Sequence, residues 1–104
     1  MTPQELYLSI AAEYEKNNDV ILGKMMSSPG IKVNDKVFAF YHKDEMGFRL
    51  GKKFEPEAHG VHKYYLLNPF KTKPPLKAWF ILPKEEMEKW SEFAELAYKF
   101  TQNI

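Results

Sequence analysis

Histidines, carboxylates and hydroxyls that could do chemistry are few in this chain. His59 and His62 lie three residues apart, with Glu55 and Glu57 just upstream. Imidazoles and carboxylates at close spacing suit a zinc-like cation. Gly60, however, opposes the helix that would align both rings, and no third ligand follows at close spacing. The pair reads as surface histidines, and no metal is expected. The serines are Ser9, Ser27, Ser28 and Ser91. None has the Gly-x-Ser-x-Gly setting of a nucleophile elbow, and His42 is the histidine nearest Ser27-Ser28. Ser27-Ser28-Pro29-Gly30 could offer backbone amides to an anion but lacks the Lys-Ser/Thr ending of a phosphate loop, so it reads as a turn. Glu85, Glu86 and Glu88 suit a solvated helix start better than an acid/base pair. With no cysteine in the chain, thiol catalysis, thiolate zinc sites and iron–sulfur clusters are excluded. No catalytic residue and no cofactor is expected.

Binding is better supported by the residue types. Lys63, Tyr64, Tyr65, Phe70, Lys71, Lys73, Lys77 and Trp79 interleave base and aromatic, the pattern that stacks on nucleobases while neutralising phosphates. With Lys24 and Arg49 they form the candidate binding set: Lys24, Arg49, Lys63, Lys71, Lys73, Lys77 and Trp79. Arg49 is the single arginine, whereas bidentate phosphate or guanine recognition favours arginine. The competing reading packs these aromatics into the core.

Charge supports a divided chain. The formal net charge is +1, from 15 basic and 14 acidic residues. Residues 1–19 hold one lysine against four acids, residues 20–83 eleven bases against five acids, and residues 84–104 three bases against five acids. A basic middle between acidic ends fits an anion-binding face, or acidic helices beside a sheet whose edge lysines discourage aggregation.

The elements follow from period and punctuation. Thr2-Pro3-Gln4-Glu5 is a capping box with proline at the first helical position. Leu6, Tyr7, Ile10, Ala11 and Tyr14 then make one helical stripe, which Asn17-Asn18-Asp19 ends. Short apolar or alternating runs follow at Val20–Met26, Ile31–Val33, Val37–Tyr41 and Met46–Leu50, joined by connections too short for parallel crossovers. Met25-Met26 reads as core filling. Lys52 to His59 allows one or two helical turns ended by Gly60. A long irregular stretch with a short strand near Tyr64–Leu67 precedes the strand Leu76–Leu82. In that strand Leu76, Ala78, Phe80 and Leu82 should share one face. The last helix should open at Pro83-Lys84-Glu85-Glu86 and bury Met87, Trp90, Phe93, Ala94, Ala97 and Phe100. This predicts one α+β domain over residues 1–104, an antiparallel sheet with an N-terminal and a C-terminal helix packed on one face. Without a charged-then-apolar leader or an apolar run near membrane-spanning length, a cytoplasmic protein with no membrane partner is expected.

One resemblance covers residues 19 to 100. Asp19-Val20-Ile21-Leu22-Gly23-Lys24-Met25-Met26 and the run on to Lys36-Val37-Phe38-Ala39 are similar to the Val-x-x-Gly-Lys-Met-Phe-Gly…Lys-x-Phe-Ala opening of the TfoX/Sxy N-terminal domain-like proteins. Phe48-Arg49-Leu50-Gly51 is similar to their Lys-Leu-Pro strand end. Phe70 with Lys77-Ala78-Trp79 resembles their Phe…Lys-Glu-Trp stretch, and Trp90, Ala94 and Ala97 resemble their closing helix. Arg49, Gly51 and Ala78 depart from the Lys, Pro and Glu of that pattern. The resemblance implies an α+β fold akin to secretion-chaperone-like folds, and a single-domain member too short for the second domain of full-length competence regulators. It implies a non-enzymatic regulatory or adaptor domain that associates with protein, either itself as a homodimer or a regulatory partner. Nucleic-acid binding by the basic middle, and a small-ligand pocket around Arg49 with His42 and Trp79, are the alternatives.

Overall fold

The computed structural model describes residues 1–68 and 76–104; the expected contacts of Phe70, Lys71 and Lys73 lie outside the described residues. Helix α1 spans Pro3–Glu15. Its capping box forms as the sequence requires: the Glu5 amide donates to Thr2 Oγ1 at 3.1 Å, and the Thr2 amide donates to Glu5 Oε1 at 2.8 Å. Six strands follow: β1 Val20–Met25, β2 Ser28–Val33, β3 Lys36–His42, β4 Glu45–Arg49, β5 Tyr65–Leu67 and β6 Leu76–Leu82. Helix α2, Trp90–Gln102, closes the fold. The strands form one antiparallel sheet in the order β1-β2-β3-β4-β6-β5. The expected α+β architecture is therefore present.

Both helices pack on one face. Tyr7, Ile10 and Ala11 of α1, and Trp90, Phe93, Ala94 and Ala97 of α2, share a core with Val20, Ile31, Val33, Phe38, Met46, Phe48, Phe80 and Leu82 of the sheet. The two ends of the chain are tied through Asp19, whose carboxylate accepts from the Tyr98 hydroxyl at 2.9 Å and the Gln102 amide at 2.9 Å. Those bonds hold the Asp19 carboxyl below its ordinary pKa.

Three strand junctions are two-residue turns with positive φ at both residues: Met26-Ser27, Asn34-Asp35 and Lys43-Asp44. Such turns match the twist of the strands they join. They correct the reading of Ser27-Ser28-Pro29-Gly30 as a turn: Met26-Ser27 turns, and Ser28 to Gly30 belong to β2. Pro29 is tolerated there because pairing of β2 with β3 begins only at Gly30, so no bond to β3 is lost. Met26, expected in the core, is exposed in the turn, whereas Met25 packs under the sheet.

Two departures from strict alternation matter. Between β2 and β3 the register slips, with Ile31 opposite Ala39 but Lys32 opposite Val37, which leaves Phe38 as an extra residue. Phe38 and Ala39 both reach the helix side, while Val37 and Phe40 serve the other face. In β6, Phe80 and Leu82 face the helices, but Leu76 and Ala78 join Trp79 and Ile81 on the opposite side. There the pairing with β5 jumps from Leu66 opposite Phe80 to Leu67 opposite Leu76, and the Ala78 carbonyl accepts from both the Leu50 and Gly51 amides, at 2.9 and 3.1 Å.

Between Gly51 and β5, Pro56–His59 form one 3-10 turn closed by Gly60 at φ 80°. Lys84–Lys89 are also 3-10, so α2 begins later than its acidic opening suggested. The cause lies at Glu86, non-helical at φ −109°, whose carboxylate accepts the backbone amides of His62 and Lys63 at 3.1 and 3.0 Å.

Candidate functional site

The face of the sheet without helices carries a second apolar cluster of Phe40, Trp79 and Ile81, flanked by Met25, Val37, Leu67, Leu76 and Ala78. Beside it lie two hollows of about 180 and 250 Å³, which share Phe40, His42 and Leu67 as walls and so form one groove. Phe40 can lie flat there because Gly47 stands opposite it on β4 without a side chain.

Polar pairs rim the groove. Ser28 Oγ and His42 Nδ1 are 3.0 Å apart, and Ser28 is buried while His42 is exposed. Glu45, directly opposite His42 across the β3–β4 turn, accepts from the Tyr65 hydroxyl on β5. Burial and that carboxylate together push the Tyr65 phenol well above its ordinary pKa. A serine hydroxyl against an imidazole is the contact of a nucleophile and its base. Among the described residues no carboxylate hydrogen-bonds His42.

Among the described residues, those singled out in the sequence do not all lie on one face of the sheet. Arg49 and Trp79 do meet: they are paired across β4 and β6, and the guanidinium lies 5.5 Å from the indole centroid. Lys24 sits on β1, four strand positions from β6, and shares its side of the sheet with Val20 and Leu22, opposite Arg49. Lys63 is exposed just before β5, its amide held by Glu86, and Lys77 is exposed on β6. The two histidines separate in role: His59 stacks on Phe54 with centroids 4.9 Å apart and meets Glu92 at 3.3 Å, whereas His62 is fixed through its backbone. Among the described residues no cluster could hold a metal ion.

A larger hollow of about 400 Å³ lies between α1 and α2, lined by Leu6, Ile10, Tyr14, Glu13, Glu95 and neighbouring polar side chains. Within it Tyr14 donates to Glu95 at 2.6 Å, and Glu13 accepts at 3.2 Å from Lys16, which lies outside the lining. Of the groove residues, Tyr65 belongs to the base-and-aromatic pattern, whereas Ser28, Glu45 and Leu67 are not singled out for binding by the sequence. The signal for the first of them was present: treating Met26-Ser27 as a two-residue turn puts Ser28 in β2, within reach of His42 at the end of β3.

No protein-family model, curated protein or solved structure matches the chain.

Proposed function

We propose that this chain is a non-enzymatic regulatory or adaptor domain of the cytoplasm that acts by binding another protein, and that the groove on the helix-free face is its contact surface. One observation carries the reading: a groove floored by the largely buried Phe40, Leu67 and Ile81 runs between two polar pairs, Ser28–His42 and Glu45–Tyr65. An apolar centre inside a hydrogen-bonding rim is the anatomy of protein interfaces. The turn beside it points the same way. Met26 and Ser27 both adopt positive φ, at 50° and 74°. Neither is a residue that favours this region, and the cost is about 1–2 kcal/mol each. Backbone strain of this kind concentrates at functional sites. The resemblance to TfoX/Sxy N-terminal domains is a second support.

The test is site-specific photo-crosslinking in cells, with the reactive side chain placed at Met26 or Tyr65 on the groove rim and at Lys52 as a control. One defined protein adduct at both rim positions and none at Lys52 is expected, with the adduct lost in Leu67→Asp. Equal labelling at rim and control, or no protein adduct at the rim, would refute the reading.

A further inference from the structure

Strand β1 ends the sheet on one side, and no strand pairs with its outer edge among the described residues. The direction of each amide on that edge follows from the β1–β2 hairpin. A two-residue turn is closed by a hydrogen-bonded pair, here Met25 with Ser28, and bonded pairs alternate from there. Gly23 with Gly30 and Ile21 with Lys32 are therefore bonded pairs. Lys24 stands opposite Pro29, which has no amide to give, so the assignment is consistent with the residue types. Leu22 and Lys24 consequently direct their amide and carbonyl outward. Val20 directs its carbonyl outward too, while its amide donates to the Asn17 carbonyl at 3.2 Å.

Exposed edges are ordinarily protected by proline, bulges, charges or shortness. The opposite edge, β5, is only three residues long. β1 has six residues, an unbroken register with β2, no proline and one charge, Lys24. Ile21 and Leu22 remain 52% and 46% exposed on opposite faces of this strand.

We infer that β1 pairs antiparallel with β1 of a second copy of this chain, about a two-fold axis through Leu22, which joins two sheets into one. This register is chosen by the strand itself. It centres on an outward-facing residue, so the two Leu22 residues exchange both backbone bonds, and each Lys24 amide reaches the Val20 carbonyl of the other copy. On the helix side the exposed Leu22 side chains meet each other. On the other side each Ile21 falls opposite Gly23 of the second copy, which has no side chain to obstruct it. There Ile21 covers the aliphatic stem of Lys32, whose Cε lies within 2.7 Å of where a Gly23 Cβ would stand. A bulky exposed residue opposite a glycine, two positions along the same strand, is a self-complementary edge. The pairing uses none of the groove residues, so its failure and the failure of the groove reading are separable.

Sedimentation equilibrium of the intact chain from micromolar to millimolar concentration tests it, together with single-cysteine variants, which the cysteine-free chain makes unambiguous. A doubling of mass with concentration is expected, lost in Leu22→Lys and in Ile21→Lys while the circular dichroism spectrum stays that of the wild type. Under mild oxidation Leu22→Cys should cross-link to itself. Ile21→Cys should not, because the register places its two copies beyond the roughly 7 Å Cα separation a disulfide can span. A wild-type chain that stays monomeric overturns the inference, as does a dimer that survives both lysine variants. Cross-linking through Ile21→Cys but not Leu22→Cys overturns the register.

Discussion

Phe40 and Gly47 face each other across β3 and β4, and the phenyl ring occupies the space where a side chain at 47 would begin. A Cβ there would lie 2.2 Å from Phe40 Cε1 and 2.5 Å from Cζ. Phe40 is itself buried, so the ring cannot swing away freely. Overpacking of this kind costs about 1–3 kcal/mol. Gly47→Ala should lower the chemical-denaturation midpoint accordingly, and Phe40→Leu in the same chain should recover part of the loss. A simple sum of the two single effects in a double-mutant cycle would show that the ring and the glycine are not coupled.

Gly51 is held at φ 88°, where its Cβ would also lie 2.8 Å from Cε1 of Phe100. Proline, which the TfoX/Sxy-like pattern carries at this place, fixes φ near −65° and removes the amide that Gly51 donates to Ala78 at 3.1 Å. Gly51→Pro should therefore cost about 3 kcal/mol or more, and Gly51→Ala a smaller but measurable amount. Thermal melts of the two variants check the order. A Gly51→Pro chain as stable as the wild type would mean that the strand end is not held in this conformation.

Thr101 is buried in α2, and its hydroxyl has no hydrogen-bond partner among the described residues. Valine has nearly the same shape without the hydroxyl, and an unsatisfied buried polar group costs about 1–3 kcal/mol. Thr101→Val should raise the melting temperature. A lower one would reveal that the hydroxyl is satisfied in solution.

The Asp19 contacts make stability depend on acid. Gln102 first, then Tyr98, hold the carboxyl below its ordinary pKa of 3.8. The contribution is thus present above that value and is lost as pH falls through the lower value of the folded chain. Asp19→Asn should flatten this acid limb in urea titrations between about pH 2 and 5. An unaltered acid limb would mean that the carboxylate contacts do not persist.

Elements whose signals are local were legible in the sequence. The capping box of α1, the four-strand meander and the glycine that ends the 3-10 turn each rest on residues a few positions apart. What escaped is set by contacts across the sheet. The extra residue at Phe38 depends on how β2 meets β3, and the irregular facing of β6 depends on how it meets β5. The delayed start of α2 depends on Glu86 reaching two amides on a distant loop. The candidate site divides along the same line. Arg49 and Trp79 were both singled out and do meet. Lys24 carried the same charge signal, but the strand order sets it far from them. Ser28 was hidden by the Pro-Gly that follows it, which suggested a turn where a strand runs.

The sheet order also sets a timetable for synthesis. Strands β1 to β4 are neighbours in sequence and can zip as successive hairpins as soon as they emerge. Helix α1, already made, brings Tyr14 against Phe38, but Phe48 meets Phe93 only when α2 is made, and β5 must wait for β6 to give it a neighbour. A nascent chain that has finished its meander therefore shows an apolar sheet covered only by α1 and an open β1 edge at the same moment. That interval, before the last helix docks, is when the chain most needs a chaperone and is most exposed to aggregation.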